Sequence, residues 1–331
     1  MKSYILLFLL LSSLFCTQKQ NPFDDRSALV SVVNPLSSGT PKSFGLDLKI
    51  DSRLNRGCET RIGNLMADVF ADKGNSILGF YNGGAIREDF GLQSIYPNSI
   101  IPKGTIPNSD LLKKLFPLTG GNLVRINLNT YRLKQALEVS VGRLNARAER
   151  GTDDIDSDGP THGNCWLNPN LSGAGRFLHV SSKMQIEVNP VATAVVIGGS
   201  GTTNTLVITS EGRRIIKIII DGILLYNNST GDITSGWSAG QSSCTIKGIT
   251  YSNSAACNFF SATIPKFQFD GGDSNATLNP NMLEVNNDGS VVVSQTGIGA
   301  NLDDGTILND YLQKFTTGPV YPRISGRILM P

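Results

Sequence analysis

Apolar positions recur at helical spacing through Ile62, Leu65, Met66, Val69 and Phe70, and Asp72-Lys73-Gly74-Asn75 ends the run, which predicts a helix starting after Glu59. The next apolar run, residues 77–81, is short and unbroken and stops at Asn82-Gly83-Gly84, the pattern of a buried strand entering a turn. A second helix, capped by Asn108 or Ser109, runs through residues 110–115 and is stopped by Phe116-Pro117. Residues 123–128 alternate apolar and polar, as a half-buried strand does. Thr130 then starts a helix with Leu133, Ala136, Leu137, Val141 and Leu144 on one face. Further strands are predicted in residues 177–188, 215–220 and 259–264, with an Asp221-Gly222 turn returning residues 215–220 into Leu224-Leu225. A helix over 307–315 and a strand over 323–329 close the chain. Three stretches break the pattern, about 146–175, 191–211 and 227–257, and read as insertions. Thr205 to Ile208 within the second of them is strand-like.

Composition narrows the function classes. The chain has 331 residues, 40% of them hydrophobic, enough for a proper core, and 35 Gly with 15 Pro make it turn-rich. The formal net charge is +2 and the basic residues form no stripe, so nucleic acid is not an expected partner. Lys2 and the apolar residues 4–15 precede Cys16 and the polar Thr17-Gln18-Lys19-Gln20, which is too short a run to span a bilayer and reads as an export signal. Residues 11–16 resemble a bacterial lipoprotein signal, although Phe15 stands where a small residue is usual. That resemblance implies a signal peptide over 1–16, lipidation of Cys16 and a membrane anchor, with the protein facing the periplasm or the cell surface. Pro22, Pro35, Pro41 and Ser37-Ser38-Gly39 suggest a flexible tether over 17–45, with the folded domain over 46–331.

Exported proteins keep disulfides, and four cysteines remain. Cys244 and Cys257 flank a hairpin-like stretch and would close a short loop, which leaves Cys58 with Cys165. None of these spacings is that of a metal site, so no metal role is assigned to them. Asp154, Asp156 and Asp158 stand two apart before Gly159, as calcium ligands do, but Cys165 occupies the place of the bidentate Glu, so a solvated acidic loop is the simpler reading.

Two loops carry candidate chemistry. Asn82-Gly83-Gly84-Ala85-Ile86-Arg87 brings an amide, bare backbone whose N–H groups could approach a ligand, and a guanidinium whose planar fork suits phosphate or carboxylate. Residues 267–273 bring Phe267, the second glycine pair Gly271-Gly272, and Asp273, with the ring able to stack on a base and the carboxylate to accept from a sugar diol. The plainer alternatives are an ordinary turn with a surface arginine, and a core aromatic clustered with Phe259, Phe260 and Phe269.

Six segments then carry a resemblance: residues 59–65, 82–87, Gly104-Thr105-Ile106 with Asp110-Leu111-Leu112, residues 177–181, 267–273, and Asp310-Tyr311-Leu312 with Gly326-Arg327-Ile328. In this order they are similar to the C-terminal domain of 5′-nucleotidases, over about residues 52–331. The resemblance implies a layered α/β/β/α fold of two similar halves that binds the nucleoside part of a nucleotide. It further implies that Arg56, Asn82 and Arg87 bind substrate along with Gly83 and Gly84, that Phe267 covers the base, and that Asp273 beside Gly271 and Gly272 binds the ribose hydroxyls. Leu118 stands where the family has its second aromatic, Lys266 replaces an Asn, and Ser274-Asn275 replace a Gly-aromatic pair. In that family catalysis belongs to a metallophosphatase domain holding divalent metals, and no stretch of this sequence resembles its motifs; the chain has only His162 and His179.

No catalytic residue and no cofactor is therefore assigned to this chain. The leading expectation is a membrane-tethered nucleoside- or nucleotide-binding module acting in nucleotide catabolism with a separate metallophosphatase chain. The alternatives are a surface lipoprotein interaction module with a degenerate pocket, and a 5′-nucleotidase hydrolase in its own right.

Overall fold

Thr60 is still extended, and its hydroxyl accepts from the Gly63 N–H, a cap that starts helix α1, Arg61–Lys73, where the apolar spacing placed it. The computed structural model describes residues 40–88, 91–117, 123–142, 144, 147–149, 155–156, 159–167, 177–189, 214–227, 244–246, 249–251, 259–265, 296–297 and 303–330. Helix α2, Ser109–Leu115, is capped by Asn108, whose side chain accepts from the Leu111 N–H at 2.9 Å. Helix α3 is Thr130–Val141, and helix α4, Asp304–Gln313, is capped by Asp303.

Two sheets share one core. The larger has the order Leu178–Val180, Leu78–Asn82, Phe259–Pro265, Leu123–Asn129, Thr296–Gly297, and the second runs Ile223–Asn227, Ile215–Ile220, Met184–Val188, Ile328–Leu329. Alternation along a strand sorts its side chains. Leu78 and Phe80 join Ile126, Ile186, Ile218 and the apolar face of α3 between the sheets, whereas Tyr81 points to the opposite face and packs with α1, α2 and α4. The chain is thus a layered mixed α/β fold, with all the described residues in the unit Ser38–Pro331. Among the described residues no helix is long and apolar enough to cross a membrane.

The structure revises several expectations. Residues 42–45, assigned to the tether, already belong to the fold: Phe44 is fully buried, bridges to Val320, and its N–H donates to the Thr105 carbonyl at 3.0 Å. One large apolar ring outweighs the nearby prolines. The insertion at 146–175 contains the strands Arg147–Glu149 and His162–Leu167, which form a three-stranded sheet with Cys58–Thr60. Residues 177–188 are two strands, because Met184 N–H donates to the Ser181 carbonyl in a tight turn between them. Residues 1–39, 191–213 and 228–243 lie outside the described residues, and with them Cys16 and the signal peptide.

Several segments that carry the resemblance hold the fold together. Glu59 is fully buried and accepts from the Asn64 side-chain amide at 2.7 Å, from Ser325 N–H at 2.9 Å and from Ile328 N–H at 3.3 Å. Arg327 forms a two-toothed pair with Asp68, at 3.0 and 2.7 Å, and also donates to the carbonyls of Asn64 and Val180. The last residues of the chain are thereby fastened to α1.

Two buried groups give opposed pH dependences. Burial pushes the His179 imidazole down from 6.5 to about 4, so it folds neutral, and stability from this group is complete above pH 6.5 and is lost as pH falls toward 4. Burial pushes the Asp304 carboxyl up from 3.8 to about 6, and its stability contribution is complete below pH 3.8 and is lost as pH rises through 6. Each amounts to about 3 kcal/mol, from about 1.4 kcal/mol per pH unit of displacement. The slopes oppose one another between pH 4 and 6. Asp304→Asn keeps an acceptor for the Tyr81 hydroxyl, which donates to Asp304 at 2.7 Å, and removes one slope. Its melting temperature is expected to climb from pH 4 to 6.5 more steeply than that of the wild type; parallel profiles would contradict the assignment.

Candidate functional site

The strand Leu78–Asn82 is buried along its whole length and ends at a one-turn 3-10 helix, Gly83–Ala85. Asn82 caps this turn, its side-chain oxygen accepting from the Gly84 N–H at 2.8 Å. The Gly83 N–H donates to the Phe177 carbonyl at 2.8 Å. The glycine N–H groups expected to approach a ligand are thus both used inside the fold. The loop also carries two side chains whose chemistry suits a ligand, the amide of Asn82 and the guanidinium of Arg87.

Gly83 is required for a different reason than the one the sequence suggested. A Cβ on it would lie 1.6 Å from the Asn55 carbonyl oxygen, so the loop and the turn Leu54–Arg56 meet backbone to backbone. That contact brings Arg56 beside the glycine loop. The same Asn55 carbonyl accepts from His179 Nε2 at 3.0 Å, and a Cβ on Gly63 would lie 2.1 Å from His179 Nδ1. The neutral imidazole is therefore a packing piece locked beneath the site, wedged between Gly63 and Asn55 and edge-on to Phe177.

The sheet brings the remaining segments to the same end. Strands Phe259–Pro265 and Leu78–Asn82 are parallel, with Ala262 opposite Leu78 and Thr263 opposite Gly79, so both chains leave the sheet at one edge. Leu123 is opposite Pro265 in the antiparallel neighbour, so the chain entering from residue 122 does so at that edge too. The Arg87 N–H donates to the carbonyl of Leu115, the last residue of α2, which ties the start of the segment leading to Leu118 to the glycine loop. Adjacent strands lie about 4.8 Å apart, so three exits fall within about 10 Å. Leu118, Phe267, Gly271, Gly272 and Asp273 themselves lie outside the described residues.

Elsewhere, Asp156 sits on the short strand Ile155–Asp156 opposite Gly159, and Asp154 and Asp158 lie outside the described residues. The Cys58–Cys165 bridge is present, with a Cα–Cα distance of 4.5 Å. Cys244 begins the hairpin strand Cys244–Ile246, and Cys257 lies outside the described residues. Sequence reasoning missed Asn55, whose carbonyl organises the glycine loop; only its position before Arg56 could have drawn notice.

A model of the 5′-nucleotidase C-terminal domain matches residues 39–230. No curated protein matches the sequence. Among solved structures, a 5′-nucleotidase precursor from Thermus thermophilus has a TM-score of 0.50 at 17% identity, covering 88% of this chain and 39% of its own. A putative 5′-nucleotidase from Staphylococcus aureus, solved with alpha-ketoglutarate, gives 0.46 at 10% identity, over 88% of this chain and 41% of that one. The NAD nucleotidase of Haemophilus influenzae gives 0.45 at 14% identity, over 89% and 37%. The chain spans about two fifths of the length of these proteins. With the family match covering more than half of its residues and a layered α/β fold built on the same segments, the chain belongs to the 5′-nucleotidase C-terminal domain family.

Proposed function

We propose that the domain binds a nucleotide at the edge of the larger sheet where strand Leu78–Asn82 ends. The observation that carries this reading is the convergence there of the Arg56 turn, the Asn82–Arg87 loop and the strand ends that lead to residues 118 and 267. Arg56 and Arg87 provide the positive charge for the phosphate, Asn82 donates to an acceptor, Phe267 and Leu118 cover the base, and Asp273 accepts from the ribose hydroxyls. With Leu118 aliphatic, the base is gripped by one ring, and stacking on one ring supplies roughly 1–3 kcal/mol.

The wider reading is a lipid-anchored module, held at a membrane through Cys16 and facing the periplasm or the cell surface. It acts in nucleotide catabolism beside a metallophosphatase on a separate chain, which supplies the divalent metals and the hydrolytic water. No residue of this chain is given a catalytic role. Calorimetric titration with AMP tests the binding reading: saturable heat supports it, and no heat with AMP, UMP or adenosine overturns it.

A further inference from the structure

His162, Cys58 and Cys165 are all buried, and the two sulfurs and a ring nitrogen of His162 lie within 4.8 Å of one another. Cys58 lies about 100 residues before the other two, which is why no metal spacing was visible in the sequence. They are gathered by the pairing of strands Cys58–Thr60 and His162–Leu167, in which Cys58 is opposite Cys165 and Thr60 is opposite His162. Three residues on one strand thus face four on the other, so the ladder contains a bulge. His162 and Cys165 are three apart and would point to opposite faces of a regular strand; across the bulge, His162 Nδ1 comes to 3.8 Å from Cys165 Sγ. A disulfide needs no imidazole beside it. Two sulfurs and an imidazole nitrogen are a donor set for zinc-class ions, with Zn–S about 2.3 Å and Zn–N about 2.0–2.1 Å, and such bonds place neighbouring ligand atoms under about 4 Å apart.

We propose that reduction of the Cys58–Cys165 bridge converts this cluster into a binding site for a thiophilic divalent cation of the zinc class. A dithiol reductant supplies two electrons and becomes a disulfide, while Cys58 and Cys165 become thiols. Cation entry expels the two thiol protons and forms two metal–sulfur bonds. His162 Nδ1, which donates to the Gly163 carbonyl at 2.7 Å, exchanges that role for the third bond by carrying its proton on Nε2 instead. Strand pairing holds the ligands together in either state, so the bridge and the cation are alternative fasteners for the same two strands.

The test uses the full chain reduced with a non-coordinating phosphine and titrated anaerobically with Co(II), then with Zn(II). One equivalent of Co(II) is expected to give thiolate charge-transfer and tetrahedral ligand-field bands, which Zn(II) abolishes. Zn(II) is expected to raise the melting temperature of the reduced protein and leave that of the oxidised protein unchanged. The bands vanish in Cys58→Ser/Cys165→Ser, which retains the other cysteines. His162→Ala, which keeps the bridge, weakens binding by at least the ~10-fold that even outer-shell losses produce. If the reduced chain unfolds, Zn(II) must restore its circular dichroism spectrum. No bands with the reduced protein, no restoration by Zn(II), or unchanged binding in His162→Ala overturns the proposal.

Discussion

Replacing Cys58 and Cys165 together by alanine is expected to lower the stability of the oxidised domain by about 4.7 kcal/mol, the chain-entropy value for a loop of about 100 residues. The bridge joins residues separated by 107 positions, so without it the unfolded chain regains the freedom of a long loop that contains α1 to α3. Both sulfurs are buried in the core between the sheets, and alanine leaves no polar atom there. At about 2–4 °C per kcal/mol for a domain of this size, the melting temperature falls by roughly 10 °C. Oxidised wild type and the double variant, compared by calorimetry, check it. A shift of under about 2 °C would show that pairing of Cys58–Thr60 with His162–Leu167 holds the insertion unaided.

Gly83→Ala is expected to destabilise the domain by about 3 kcal/mol and to abolish nucleotide binding. The new methyl would sit 1.6 Å from the Asn55 carbonyl oxygen, a backbone atom that cannot rotate away. Overpacking of this kind costs about 1–3 kcal/mol. Displacing the carbonyl also strands the buried His179 Nε2 donor, adding about 1–3 kcal/mol, part of which the loop relieves by moving. The movement separates Arg56 from Arg87, so binding fails even at temperatures where the variant remains folded. Denaturant unfolding gives the first quantity and titration of the folded variant the second. Wild-type affinity in a destabilised Gly83→Ala would detach the Leu54–Arg56 turn from the site.

The local parts of this fold were legible because local physics decides them. The helical spacing of Ile62 to Phe70, the Asn108 cap, the alternation in Leu123–Asn129 and the Asp221-Gly222 turn each needed only neighbouring residues. Strand His162–Leu167 was not legible, since His-Gly-Asn at its start hides any alternation and one of its two partners lies about 100 residues earlier. Glu59 and Arg327 stood out only as parts of similar segments. Their work, accepting from Ser325 and Ile328 and pairing with Asp68, joins opposite ends of the chain and leaves no periodic trace. The predicted strand at 323–329 shrank to Ile328–Leu329 because Ser325 is spent on Glu59 instead of a ladder. The glycine pair shows the same limit inside the site. Bare backbone was foreseen, but not that Gly83 lies against the Asn55 carbonyl.

In the proposed site, Arg56 and Arg87 make this sheet edge read the phosphate of a nucleotide. The most direct test of this reading is calorimetric titration of the wild type, Arg56→Ala and Arg87→Ala with AMP and with adenosine. Wild type is expected to bind AMP more tightly than adenosine, and each arginine variant to lose about 10- to 100-fold for AMP, the range for a lost charge-assisted hydrogen bond, with little change for adenosine. Equal affinity of the wild type for the two ligands, or arginine variants that bind AMP as the wild type does, would contradict it.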